Sequence, residues 1–338
     1  MKIKQYSFTL NLKRPFNLAH GSRTTTPIVL VELSSDGKVG YGEASLPPYL
    51  GETQESVAKF IDSIPELNFN PEDIFGMIQQ IDKIAIGNNA AKAALDIALH
   101  DLAGKVMNKG CSELLKLPEM DFPITSFTIS IDTPKNIRER IKEADSFHFY
   151  KVKLGGSNDM EMIQALTSET KKPFSVDVNQ GWINKYKALD FVKMLQDLNC
   201  QYIEQPFQKE MIKETLWLAD RASLPIIADE SVKRLDDISE VDGIYHGINI
   251  KLMKSTGITE AMKMITLARQ KQMKVVFGSM VESSCGITAA AHLAPLSDWV
   301  DLDSSFLISG DPFRGAEIID GKICHDKNLP GLGISKVK

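Results

Sequence analysis

The chain has 338 residues, 43% hydrophobic and 25% charged, with a formal net charge of −5. That is ordinary globular composition, long enough for more than one domain, and it excludes a nucleic-acid surface built on a basic excess. Cys111, Cys200, Cys285 and Cys324 are scattered without a CxxC pair, which argues against disulfides or a thiolate zinc site and fits a reducing cytoplasm.

The opening MKIKQYSFTLNLKRPF alternates polar and apolar residues. It lacks an apolar h-region, so no signal peptide is expected, and no stretch approaches the roughly 20 apolar residues of a membrane helix. The alternation predicts a strand over 2–11, with further strands over 27–34 and 38–43. The last two read as a hairpin with Asp36-Gly37 in the turn. Residues 54–62, 71–81 and 89–107 read as helices, the last Ala/Leu-rich. Strands followed by helices predict an α+β unit over 1–115. From about residue 124 the pattern becomes apolar run, loop, amphipathic helix. The runs are ITSFTISI, FHFYKVKLG, PFSVDVNQ, QYIEQPF, LPIIADES, GINIKLM, MKVVFGSM and WVDLDSS. Eight strands with helices between predict a parallel barrel over 116–305. The remainder, 306–338, is too short for a domain and is expected to return to the N-terminal unit.

Asp177, Glu204 and Asp229 stand where three successive runs end, one barrel unit apart. Each acid therefore falls on the C-terminal face of the barrel, and three carboxylates converging there make a hard oxygen cage suited to Mg2+. Lys151 and Lys153 precede the cage and Lys251 follows it. Strand alternation puts Lys151 and Lys153 on one face, pointing into the barrel mouth. Asp301 and Asp303 share a face in the same way. Any one of these charges alone reads as a solvated strand end. A set repeating at the barrel period does not. Asp229 could instead be a helix N-cap, and Gly155-Gly156 an anion cradle or simply a turn. Trp182 and Met280 read equally as pocket wall or core. The six histidines have no ligand spacing. ASLPPYLGET, residues 45–54, is a connector or an active-site flap.

KVKLGG, DVNQGW, IEQP, ADES and NIKLMKSTG, in that order, resemble the enolase superfamily in its muconate-lactonising-enzyme-like subgroup, along essentially the whole chain. The resemblance implies an α/β fold, a modified (β/α)7β TIM-type barrel with an N-terminal α+β capping domain. It implies that Asp177, Glu204 and Asp229 bind Mg2+ and that Lys153 and Lys251 are the acid/base pair, with Lys254 the alternative to Lys251. Asp301-Leu302-Asp303 resembles the DxD motif of dipeptide epimerases, where two acids hold the substrate's ammonium group. Paired carboxylates suit a cationic amine. The implied chemistry is inversion of the C-terminal α-carbon of a dipeptide, with Lys151 contacting the substrate carboxylate. Arg23, in the capping loop LAHGSRTTTP, is able to meet an acidic side chain, and the loop could equally favour an apolar second residue. Thr128, Ser279 and Met280 complete the candidate substrate contacts. Other reactions of the subgroup, N-acylamino acid racemase, o-succinylbenzoate synthase or cycloisomerase, would leave Asp301 and Asp303 without an ammonium partner. A non-catalytic barrel binding a small acid would tolerate loss of both lysines. Homo-oligomers are common in the family, and the sequence carries no mark for or against one.

Overall fold

The computed structural model describes residues 1–19 and 21–337, so His20 lies outside the described residues. Strands β1 (Lys2–Leu18), β2 (Gly21–Ser35) and β3 (Lys38–Ser45) form an antiparallel meander. Asp36 and Gly37 turn β2 into β3 with φ of 52° and 71°, the left-handed pair such a two-residue hairpin requires. β1 and β2 run well beyond the expected 2–11 and 27–34. After a register shift between Asn11 and Phe16 the ribbon continues, and its far part carries Phe16, Leu18 and Arg23 to the barrel mouth.

Helices α1 (Gln54–Asp62) and α3 (Asn89–Met107) occupy the expected residues. α2 (Ile74–Asp82) begins three residues late because the Asp73 carboxylate accepts the Gly76 N–H and caps it there. α3 is buried all round from Ala90 to Gly104, as a central helix must be. It lies directly on β3, where Gly40 and Gly42 leave no Cβ: one at Gly42 would fall 1.9 Å from the Ala94 carbonyl oxygen.

After the short α4 (Cys111–Leu114) come eight parallel strands: β4 (Phe127–Ile129), β5 (Tyr150–Lys153), β6 (Phe174–Asp177), β7 (Cys200–Glu204), β8 (Ile226–Ala228), β9 (Gly247–Lys251), β10 (Lys274–Gly278) and β11 (Trp299–Asp301). Seven helices separate them: α5 (Pro134–Glu143), α6 (Asp159–Glu169), α7 (Lys185–Asp197), α8 (Ile212–Ala219), α9 (Asp237–Val241), α10 (Ile258–Gln270) and α11 (Ser284–Leu293). The Ser126 N–H donates to the Val300 carbonyl at 2.9 Å, bringing the first strand to the last. Tyr202, Ile227 and Val276, with Phe149 and Trp299 packed on them, plug the barrel interior. Two positions further along from Tyr202, Ile227 and Trp299 come the acids Glu204, Asp229 and Asp301, as side-chain alternation requires. Beyond α12 (Ser304–Leu307), β12 (Ile308–Ser309) pairs with β1. Among the described residues no helix is long and apolar enough to cross a membrane.

Candidate active site

Strand register brings the charged residues to one level. Lys153 lies opposite Asp177, and Asp177 opposite Glu204. On the far side, Gly278 lies between Lys251 and Asp301. A Cβ at Gly278 would fall 2.7 Å from Asn249 Oδ1, so the bare position admits the Asn249 amide, which donates to Glu204 Oε1 at 2.8 Å. Asp229 lies just past β8. No helix begins there, and its carboxylate goes to Lys251 and Lys254 rather than to a cap.

Asp177, Glu204 and Asp229 each offer an oxygen within 4.8 Å of the others, and all three are buried. Their electrostatics are unequal. Burial and the neighbouring Asp177 push Glu204 up to about 8. Burial acts in the same sense on Asp177, but Lys153 and Lys151 outweigh it and hold that carboxyl low. Asp229 is likewise held low against burial by Lys251 and Lys254. Three hard oxygen donors at this spacing fit a divalent cation. Around them Asn249 orients Glu204, and Gln205 Oε1 accepts the Asp229 N–H at 2.9 Å, the outer partners that such ligands need.

The lysines differ in placement. Lys153 Nζ donates to Asp177 Oδ2 at 2.6 Å, and Lys251 Nζ to Asp229 Oδ2 at 2.7 Å. Both line the cavity, from opposite sides of the cage. Lys254 Nζ donates to Asp229 Oδ1, the Asp229 carbonyl and the Asn249 carbonyl at 2.6, 2.7 and 3.0 Å. Those three acceptors use all its donors. Lys151, expected to reach the substrate, lies under the cavity floor. It is fully buried, with Nζ 2.8 Å from Glu204, 2.8 Å from Asp301 and 3.2 Å from Asp177. Despite burial, these acids hold its ammonium well above the ordinary range.

Asp301 and Asp303 converge on Thr128, whose hydroxyl donates toward both at 3.2 Å and whose N–H donates to Asp303 at 2.6 Å. Ser126 adds a 2.7 Å bond to Asp301. Burial, then Asp301, pushes Asp303 up to about 7, whereas Asp301, 2.8 Å from Lys151, is held low against burial by Lys151 and Lys153. The cavity above has a volume of about 240 Å3. Its wall also includes Ser279 and Met280 and, from the N-terminal unit, Arg23 and Tyr49. Arg23 stacks over Phe16 at 5.6 Å with its Nε unpartnered. Trp182 packs on Phe191 and donates to Asp159, away from the cavity. The Gly155 and Gly156 amides are occupied by the Asp159 carboxylate, which leaves a turn and no anion cradle. The sequence reading missed Asn249, although the alternation that turned Lys251 inward applies to it equally.

Two family models match the chain: "Mandelate racemase / muconate lactonizing enzyme, N-terminal domain" over residues 2–116, and "Enolase C-terminal domain-like" over residues 135–336. The chain belongs to the mandelate racemase/muconate lactonizing enzyme family. It is 45% identical over 339 residues to the L-Ala-D/L-Glu epimerase of Bacteroides thetaiotaomicron, spanning 100% of this chain and 88% of that protein. Among solved structures, a dipeptide epimerase from Cytophaga hutchinsonii, complexed with Mg and D-Ala-L-Val, matches with a TM-score of 0.91 at 30% identity, covering 99% of this chain and 95% of that one. The N-succinyl Arg/Lys racemase from Bacillus cereus matches with a TM-score of 0.92 at 28% identity, with the same coverages. These relatives of the family are epimerases and racemases, and this chain is an isomerase with them.

Proposed function

We propose that this family member is a Mg2+-dependent dipeptide epimerase that inverts the α-carbon of the C-terminal residue. The observation that carries the proposal is one cavity lined by Asp229 of the three-carboxylate cage, by a lysine on each side of that cage and by a buried acid pair beyond. The α-proton of a carboxylate is very weakly acidic, so the doubly charged enediolate formed on its removal must be stabilised. Asp177, Glu204 and Asp229 would hold Mg2+, whose charge would supply that stabilisation. Lys153 takes the proton from one face and Lys251 returns one to the other, or the reverse for the opposite epimer. Enolase-superfamily sites are a named case of this lysine-and-magnesium arrangement. Lys151 contributes a fixed positive charge from beneath. Asp301 and Asp303 hold the substrate's α-ammonium, which gives Asp303 the cationic partner that Asp301 already has in Lys151.

Arg23 selects the side chain of the inverted residue. A half-buried guanidinium with a free N–H and no carboxylate partner among the described residues suits an acidic group. The resemblance to an L-Ala-D/L-Glu epimerase points the same way, and L-Ala-L-Glu is the substrate of choice. Thr128, Ser279 and Met280 shape the rest of the pocket. The test is a panel of free dipeptides, N-acetyl dipeptides and N-succinyl-L-Arg in deuterated water, read by mass spectrometry for α-hydrogen exchange. Free dipeptides with an acidic C-terminal residue should exchange fastest. Turnover of N-acyl amino acids at equal or higher rates would replace this assignment with the racemase activity of the B. cereus relative.

A further inference from the structure

The cavity wall formed by Met280 and Val281 continues into a segment whose every residue is fastened to another element. Tyr49, in the loop after β3, donates its hydroxyl to Met280 Sδ at 2.8 Å. Ser45 on β3 donates to the Val281 carbonyl at 2.7 Å. Ser283 donates its N–H to Glu43 Oε1 at 2.9 Å and its hydroxyl to the same carboxyl group. Glu282 sits at the centre. Its main-chain N–H donates to Ser304 Oγ at 2.7 Å, and Ser304 returns a bond to the Glu282 carbonyl at 2.8 Å. Ser304 directly follows Asp303. The Glu282 side chain turns back and accepts the Met280 N–H on Oε1 at 2.8 Å. Its other oxygen has no hydrogen-bond partner and rests against Gly286, where a Cβ would collide with it. Glu282 is 1% exposed.

We infer that Glu282 is a positioning residue for the epimerisation: its carboxyl group holds the Met280 main chain at the cavity wall, in a segment that main-chain bonds to Ser304 tie to the strand end carrying Asp303 and that Glu43 and Ser45 tie to the N-terminal sheet. Glu282 touches no reacting atom; its side chain acts through Met280. The inference rests on the dipeptide-epimerase reading only for its kinetic assay. Burial, then Glu43, pushes the Glu282 carboxyl up to about 8, and burial pushes Glu43 up to about 7 against its donors from Ser283. The charged groups facing Glu282 are Glu43 from β3 and Lys251 from β9, and Asp311 faces Glu43. Glu282 is therefore mainly an uncharged acid at neutral pH, and glutamine reproduces both its shape and its acceptor. Ionisation would put a second negative charge beside Glu43 at a buried position, which is costly.

The experiment compares full-length wild type, Glu282→Gln and Glu282→Ala for kcat and KM with L-Ala-L-Glu from pH 6 to 9, alongside Mg2+ affinity by calorimetry. At pH 7, Glu282→Gln should stay within about twofold of wild type, while Glu282→Ala should raise KM about tenfold or more, the scale of one lost buried hydrogen bond. Mg2+ affinity should not change, since no cage acid is touched. KM should rise in both enzymes as the substrate's α-ammonium is lost at about pH 8, and the rise should be steeper in wild type, where Glu282 ionises as well, than in Glu282→Gln. Wild-type kinetics in Glu282→Ala, or a Glu282→Gln enzyme with the wild-type pH profile, would overturn the inference. If Glu282→Ala does not fold, the Glu282→Gln profile alone decides. If wild type epimerises no dipeptide, the proposed function fails separately. Amide hydrogen exchange at 279–283 then decides this one, with faster exchange expected in Glu282→Ala than in Glu282→Gln and equal exchange refuting it.

Discussion

Replacing Lys254 by methionine separates the two lysines of NIKLMKSTG by what each does. The Lys254 ammonium is buried and makes three hydrogen bonds, to both kinds of oxygen on Asp229 and to the Asn249 carbonyl. Burial draws its pKa down despite Asp229. Methionine of similar length would leave two carbonyls and a carboxylate oxygen without this donor. Breaking a buried ion pair from one side costs about 3–5 kcal/mol, a large part of the roughly 5–15 kcal/mol that holds a folded domain together. Lys251, by contrast, makes a single protein hydrogen bond among the described residues, to Asp229 Oδ2. Lys254→Met should therefore lower the urea midpoint strongly and keep measurable epimerisation at saturating Mg2+. Lys251→Met removes one buried hydrogen bond instead of three and leaves Asp229 paired with Lys254, so it should lower the midpoint less than Lys254→Met does and abolish epimerisation. The reasoning fails if Lys254→Met keeps wild-type stability while losing all epimerisation, which would make Lys254 the base.

Chelation with EDTA should abolish turnover and Mg2+ restore it, and Asp177→Asn, Glu204→Gln and Asp229→Asn should each cut kcat by orders of magnitude; full activity in metal-free enzyme would contradict the cage assignment. Arg23→Leu should cost about 1.5–3 kcal/mol, ten- to a hundredfold in kcat/KM, for L-Ala-L-Glu but not for L-Ala-L-Leu, and equal losses on both would remove Arg23 from side-chain recognition. Asp303→Asn should narrow the gap between free and N-acetylated dipeptides, measured as a ratio of kcat/KM values; an unchanged ratio would take the ammonium away from the acid pair. Burial, then Lys327, draws His325 down to about 4. A depressed histidine contributes stability that is present above its unfolded value of about 6.5 and is lost as the pH falls toward 4. Both of its ring nitrogens are unpartnered and its ring packs on Phe122, so His325→Phe should flatten the fall in Tm between pH 6.5 and 4, and a wild-type slope would refute this.

The barrel was legible because its runs are short, apolar and regularly spaced, and each lies on one of β4 to β11. The cage acids were legible because each ends a run. The hairpin over the mouth was not, since KRPFNLAHGSRTTT carries no apolar alternation. β1 and β2 there pair with each other beyond the core and need no buried face. Strand alternation turned Lys151 inward correctly but could not give its depth. That depth is set two residues below Lys153, between acids on three other strands. Lys251 and Lys254 are indistinguishable in composition. Only the turn after β9, which folds Lys254 back onto the Asn249 and Asp229 carbonyls, separates them. Glu43 and Glu282 were invisible for a similar reason, because they meet across a sequence separation that no local pattern records.

The central claim is that two lysines address opposite faces of one carbon. Its most direct test is proton NMR of Lys153→Ala and Lys251→Ala with L-Ala-L-Glu and L-Ala-D-Glu in deuterated water. Neither variant should interconvert the epimers, and each should exchange the α-hydrogen of only one of them, a different one for each variant. Interconversion by either variant, or exchange of the same epimer by both, would contradict the account.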